Sequence, residues 1–230
     1  MALWEYLGAG SGTTKWLYKL NGNANDSSWN WNNGTSTNVS WVAGRLWSQC
    51  AQTWTSAYIA IPNSICSAIW TWDFTISLFL YPINPWAWIY PMIFGSFQPS
   101  SPFIWPTIFY DPTNNWWWWN AIEVRLTASN KQFVTSPSAS SLYQKWTNMI
   151  FTRISWVCNF YINWSNVKQW NDATNVNSTT ESFILSRNYI YQQFPSWARM
   201  DDCFINVWKW MTASEARKYY TYTTWRLATI

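Results

Sequence analysis

The chain contains no histidine, and with it go the commonest general base and the commonest zinc ligand. Charge is scarce as well. Only 10% of residues are Asp, Glu, Lys or Arg and the formal net charge is +4; the basic residues form no run or stripe, so no nucleic-acid partner is expected. Cys-x-x-Cys pairs are absent. Cys50, Cys66, Cys158 and Cys203 read as buried free thiols, with no bridge assignable from their spacing. Residues 1–12 hold neither a basic leader nor an apolar run of signal-peptide length, so export would rely on a longer parent chain or another route. Residues 74–110 carry no charge, yet Pro82, Pro85 and Pro91 break any helix laid through their most apolar part. Lipid-exposed irregular backbone is not tolerated in a bilayer, so no membrane insertion is expected. Glycine is the oddest shortage, with 7 copies where an average usage of about 7% would give roughly 16.

What is present in excess is tryptophan, with 24 copies in 230 residues. That length is ordinary for one β-sandwich and can bury a sizeable core, so a single domain is expected over residues 1–230, with its core at about 16–220. Residues 16–22 read as an opening strand. Residues 73–82 give the clearest one, because Phe74, Ile76, Leu78 and Leu80 alternate with Thr75, Ser77, Phe79 and Tyr81. In residues 121–127 the alternation is one-sided, which turns Ile122, Val124 and Leu126 inward and Glu123 and Arg125 outward. Residues 83–120 read as one strand pair plus long loops, 145–153 and 158–164 as a hairpin, and 178–191 and 199–207 as strand regions. Thr212 and Glu215 have capping-box spacing, so one helix is expected over residues 212–220.

Asn25-Asp-Ser-Ser-Trp-Asn-Trp-Asn-Asn-Gly34 is a run of turn formers interrupted by two indoles, and a bulky aromatic gains nothing in a tight turn. With glycine at 29 and 31 the segment resembles the Asn-Asp-x-Ser-Gly-x-Gly-x-x-Gly signature of laminin-G-like jelly-roll domains, in the concanavalin A-like lectin/glucanase superfamily. Residues 41–62 resemble that family's Gly-x-x-Gly-Gln-Ala element and the Tyr-Ile strand after it, with Trp47 and Trp54 in glycine places. Asp73-Phe-Thr-Ile-Ser77 is similar to its strand almost letter for letter. The strand led by Trp146 returns as Tyr161-Ile-Asn-Trp164, where the family has Tyr-Ile-Asn-Gly, and an Asp201-Asp202 strand followed by a capped helix is the family's usual close. These motifs keep the family's order across nearly the whole chain.

The resemblance implies an all-β fold, a jelly-roll β-sandwich of two antiparallel sheets with one short C-terminal helix, its closing strand beside its opening one. At the level of class it implies a noncatalytic lectin-like or adhesive binding module of an exported or cell-surface protein. Its partner would be a glycan or another cell-surface ligand, and its setting a larger multidomain chain. A structural spacer without a small-molecule ligand fits the same resemblance. A glycoside hydrolase of the superfamily fits less well.

A glycosidase needs two carboxylates converging on one bond, and the superfamily's enzymes carry them on one strand as Glu-x-Asp-x-x-Glu or a close variant. No such cluster is present. Glu123 stands alone, and strand alternation sends the adjacent Asp201 and Asp202 to opposite faces, so no catalytic residue is expected. A Ser or Cys nucleophile would have no histidine to activate it. Calcium is the one cofactor with a plausible address, at Asp26 among Asn25, Asn30, Asn32 and Asn33, with Asp202 approaching from the closing strand. A hard cation wants about six to eight oxygens, and only one or two charged ones are offered. An Asx-turn at Asp26 and a polar strand end at Asp202 are therefore preferred, with no cofactor required. For ligand contact the indoles Trp86, Trp88, Trp105 and Trp116 lie in the long loops, where flat aromatic faces pack against sugar rings.

The indoles are nevertheless spread over every turn, which no single binding platform requires. Trp29, Trp31, Trp47, Trp54 and Trp164 fall on the family's glycine places, while Trp146 falls where the family itself has tryptophan. Some bacterial lineages read TGA as glycine, and this is the pattern that results when such a gene is translated with TGA as tryptophan. On that reading the five indoles sit in turns or at the surface and Trp146 is better buried; the alternative is a genuinely tryptophan-rich protein that uses its indoles as ligand surface.

Overall fold

The computed structural model describes residues 15–28, 30–45, 49–53, 57–69, 73–83, 91–96, 104–111, 121–127, 131–174, 183–188, 198–207 and 212–228. Within them the chain forms two antiparallel sheets face to face. The first sheet holds β1 (Lys15–Tyr18), β3 (Ser40–Ala43), β4 (Gln49–Thr53), β6 (Phe74–Pro82), β11 (Thr147–Ile154), β12 (Val157–Ile162), β13 (Ser165–Asn171) and β15 (Ala198–Val207). Its order is β13-β12-β11-β6-β15-β4-β3, with β1 paired to β15. The second holds β2 (Thr35–Thr37), β5 (Tyr58–Ile61), β7 (Pro91–Ser96), β8 (Ile104–Asp111), β9 (Ala121–Thr127), β10 (Lys131–Val134) and β14 (Phe183–Asn188), in the order β10-β9-β8-β7-β14-β5-β2. Two helices, α1 (Asn63–Ile69) and α2 (Ala213–Ala228), and a 3-10 turn at Ala139–Leu142 complete the described elements. The fold is the expected jelly-roll β-sandwich.

Strand β6 forms the middle of the first sheet because both of its faces are buried, as its sequence requires. Ile76 pairs with Phe151 of β11 and Ile205 of β15, and Leu78 pairs with Met149. These inward residues meet Ile59, Ile61, Phe94, Ile108, Ile122, Val124 and Leu126 of the second sheet in one apolar cluster. Each such side chain removed from water contributes about 1.5–3 kcal/mol, which is what holds the layers together. A second, smaller cluster lies on the outer face of the first sheet. There Leu17, Phe79, Ile150, Tyr161 and Phe204 are covered by Ala216 of α2.

Strand β15 ties the two ends of the chain together and changes neighbour part-way along. Ala198–Met200 pairs with β4, whereas Cys203–Asn206 pairs with β1, and the register against β6 shifts between Asp201 and Phe204. The closing strand thus lies beside the opening one, as expected. The strand pair expected in residues 83–120 is β7 with β8, and β14 falls in the 178–191 region. The capping box is complete: the Thr212 N–H donates to Glu215 Oε2 at 2.8 Å and the Glu215 N–H to Thr212 Oγ1 at 3.2 Å.

Two expectations need correction. Helix α2 runs to Ala228 rather than ending at Tyr220; its threonines lower the local helix propensity, but no Gly or Pro follows to stop it, and the Thr221 hydroxyl donates to the Arg217 carbonyl at 2.8 Å. Glu123 and Arg125 do face away from the Ile122 side, yet they are buried at 6% and 5% exposure. They pair at 3.1 Å, and the Arg125 guanidinium lies 4.5 Å from the Phe109 ring centroid, so the strand is not one-sided.

Candidate functional site on the outer face of the first sheet

Strand register sorts the outer face into rows. One row crosses from Ser40 on β3 through Gln52 on β4 and Arg199 on β15 to Tyr81 on β6, with Trp146 immediately before β11. Arg199, Tyr81 and Trp146 are half-buried and Ser40 is exposed, so their faces and edges reach solvent. The Tyr81 and Trp146 ring centroids are 5.4 Å apart with the planes tilted by 53°. The Arg199 guanidinium lies 5.5 Å from the Tyr81 ring, and its Nε donates to Gln52 Oε1 at 3.0 Å. Five neighbouring positions at a strand spacing of ~4.8 Å make a row about 19 Å long, enough for a short oligosaccharide rather than one ring. Two aromatic rings flanked by a guanidinium and an amide present the mixture of apolar face and fixed donors that a sugar requires.

Beside this row the β15 irregularity gathers three charges. Asp202 adopts a φ of 43°, in the left-handed region, where the strand changes partner. That turn brings both carboxylates to Arg45, against the expectation from simple alternation that they would point to opposite faces. The Arg45 N–H donates to Asp201 Oδ2 at 3.2 Å, its Nη2 donates to Asp202 Oδ2 at 3.0 Å, and its guanidinium sits 3.7 Å over the Phe79 ring. Asp201 also accepts the Asp202 N–H at 3.0 Å. Burial, helped by the neighbouring Asp202 charge, pushes the Asp201 carboxyl up to about 7. The two acids and Arg45 anchor the bulge in a desolvated place, where Asp201 is 2% exposed.

The calcium candidates are engaged elsewhere. Asp26 Oδ1 accepts the N–H groups of Leu17 at 3.2 Å and Ser28 at 2.8 Å, and Oδ2 that of Asn32 at 3.2 Å. The Ser28 contact is the Asx-turn preferred from the sequence. Asp26 bridges to Tyr18, which pairs with Cys203, so the backbones at Asp26 and the closing strand lie two strand spacings, about 10 Å, apart. Asp202 turns instead to Arg45. No group of three or more Asp, Glu or Cys side chains comes together among the described residues. Cys50, Cys158 and Cys203 are buried free thiols, as expected, and burial raises each to about 12. The side chain of Cys66, in α1, is outside the described set.

Of the indoles proposed for ligand contact, Trp86, Trp88 and Trp116 lie outside the described residues, and Trp105 lies in β8 with its side chain likewise outside them. Residues 29, 47 and 54 are also outside. The row of Gln52, Tyr81, Trp146 and Arg199 was missed by reading along the chain, because its members come from three strands and the residue before a fourth. The one available signal was Trp146, an indole outside the turns.

No family model matches the sequence, and no curated protein does. Solved structures share the fold at low identity. Domain 4 of AbnA, a GH43 extracellular arabinanase from Geobacillus stearothermophilus solved with arabinotriose, matches with a TM-score of 0.68 at 18% identity over 91% of this chain and all of that one. The binding domain of Paraclostridial Mosquitocidal Protein 1 matches with a TM-score of 0.71 at 16% identity over 91% of this chain and 52% of that one. A botulinum neurotoxin type C structure, described in connection with cell entry through two ganglioside molecules, matches with a TM-score of 0.65 at 14% identity, covering 92% of this chain and 51% of that one. The chain therefore spans about half the length of the two toxin structures. These likenesses establish the β-sandwich fold.

Proposed function

We propose that the domain is a noncatalytic, laminin-G-like binding module of an exported or cell-surface protein, and that it recognises a glycan along the outer face of its first sheet. The observation that carries the reading is the row of Gln52, Arg199, Tyr81 and Trp146, with its two packed rings 5.4 Å apart and its Arg199–Gln52 hydrogen bond of 3.0 Å. The likeness to an arabinanase domain solved with arabinotriose, and to a toxin structure described with gangliosides, supports the glycan class. A hydrolytic role is disfavoured because the acids nearest the row, Asp201 and Asp202, are tied to Arg45 in the bulge. The reading requires no cofactor.

A glycan array tests it. Reproducible binding to one glycan class is expected, and Arg199→Ala should weaken that binding by about tenfold, the loss of one charge-assisted hydrogen bond, with little change in melting temperature. Trp146→Ala should weaken it at least as much, with some loss of stability from the packing of Trp146 on the outer cluster. An array without reproducible binding returns the domain to the spacer reading.

A further inference from the structure

Two independent properties single out the same three tryptophans. Trp31, Trp156 and Trp164 have φ of 58°, 74° and 69°. The exposed large hydrophobic side chains among the described residues are these same three, at 82%, 45% and 40%. Trp41 and Trp146 behave otherwise: each is half-buried, packed against an apolar cluster and outside the left-handed region.

The turns explain what those positions want. Trp156 is the second residue of the two-residue loop between β11 and β12, and Trp164 the second of the loop between β12 and β13. The first residues are Ser155 at φ 44° and Asn163 at φ 47°. A two-residue hairpin loop with both φ positive is the type I′ turn, whose second place favours glycine because a side chain there meets the backbone. Trp31 lies in the loop pinned by Asp26, which accepts the N–H of the next residue, Asn32.

A ligand platform does not account for this placement. The two hairpin loops lie at opposite ends of β12, about 20 Å apart for six extended residues, and Trp31 is on a third loop. The Arg217 guanidinium 5.0 Å from the Trp164 ring is a surface contact of the kind an exposed indole readily collects, and the Arg153 guanidinium 5.6 Å from the Trp156 ring is 1% exposed and already donates to the Thr174 carbonyl at 2.8 Å.

We infer that the protein made in its own cell carries glycine at positions 31, 156 and 164, encoded by TGA in a gene whose cell decodes TGA as glycine. The family pattern puts Trp29, Trp47 and Trp54 in the same class, whereas position 156 is assigned by backbone geometry alone. The inference stands apart from the glycan reading: with glycine in the turns the abundance of indoles is no evidence for a sugar platform, while Trp146 in the outer-face row keeps its weight.

The codons and the native protein test it together. TGA is expected at Trp31, Trp156 and Trp164 and TGG at Trp41 and Trp146, and peptides of the protein isolated from its source cells should have masses fitting glycine at the first three positions. TGG at those three, or native peptides carrying tryptophan there, would overturn the inference.

Discussion

The bulge of β15 and the loops flanking β12 both place a residue with a side chain in the left-handed region, Asp202 at φ 43° and Trp164 at φ 69°. Their surroundings differ in kind. Asp202 meets Arg45 at 3.0 Å, and its N–H donates to Asp201 at 3.0 Å where the strand exchanges one neighbour for another. Trp164 has 40% of its surface in water and one guanidinium 5.0 Å from its ring. A left-handed L-residue costs roughly 1–2 kcal/mol, less for Asp than for a bulky aromatic. A hydrogen bond between charged groups returns about 1.5–3 kcal/mol, whereas an exposed cation–π contact returns about 0.5–1 kcal/mol. Strain is offset at the bulge and left standing in the turns.

The sharpest test makes the same exchange in both regions. Asp202→Gly relieves the backbone but removes the carboxylate that accepts from Arg45, whose side chain is 1% exposed, so unfolding in urea should show a net loss of about 1–3 kcal/mol. A stabilising Asp202→Gly would erase the distinction between the two regions. The next largest effect concerns the acidity of the bulge. In the folded chain Asp201 keeps its proton up to about pH 7, against an ordinary value of 3.8, so between those values the native state binds more protons than the unfolded one. The contribution is fully present below the unfolded value and is lost as pH rises through the folded one. Melting temperature should therefore fall between about pH 4 and pH 8. Asp201→Asn should reduce that fall without abolishing it, since burial raises the Asp202 carboxyl as well, and Arg45, Lys19, Arg199 and Cys50 around this corner are left in place. A profile unchanged by Asp201→Asn would remove the buried acid from the account.

Smaller, and opposite in sign to Asp202→Gly, are Trp156→Gly and Trp164→Gly. Each should stabilise by about 1 kcal/mol, and the two should add because their turns lie at opposite ends of β12. Destabilisation by either would mean that the indole makes a contact outweighing its backbone.

The alternation of Phe74, Ile76, Leu78 and Leu80 is a local signal with a local cause, and β6 lies where it says. The Thr212 and Glu215 spacing is likewise local, and the cap forms. The Asp201-Asp202 pair misleads because alternation presumes an unbroken ladder, and the break arises from β15 having β4 beside one half and β1 beside the other. Glu123 and Arg125 mislead for a related reason: polar residues alternating with aliphatic ones look solvent-facing, but these two lie buried as an ion pair 3.1 Å apart against Phe109. The candidate ligand row depends on which strands become neighbours, and no stretch of chain contains it. The turn at Ser155-Trp156 was hidden because its glycine-like place is filled by an indole, which masks the usual hairpin signal.

The smallest expected effect is that of calcium, and it bears on the first of the Asn-rich turns. A cation at Asp26 would have to share carboxylate oxygens already accepting the N–H groups of Leu17, Ser28 and Asn32. Nearby amide oxygens are also engaged, since Asn33 Oδ1 accepts the Asp26 N–H at 2.9 Å and Asn32 Oδ1 accepts the Ser64 hydroxyl at 2.6 Å. Binding would exchange these hydrogen bonds for metal contacts with one carboxylate where about six to eight oxygens are wanted. A ligand that binds only the folded state raises stability in proportion to the logarithm of its concentration over its dissociation constant, so a weak site gives almost nothing. Melting curves in millimolar calcium and in chelator should therefore coincide, and Asp26→Ala should lower both equally by untying the turn. A clear rise with calcium that disappears in Asp26→Ala would instead make this loop a metal site, and the strain at Trp31 would then belong to a loop shaped for an ion rather than to a turn awaiting its glycine.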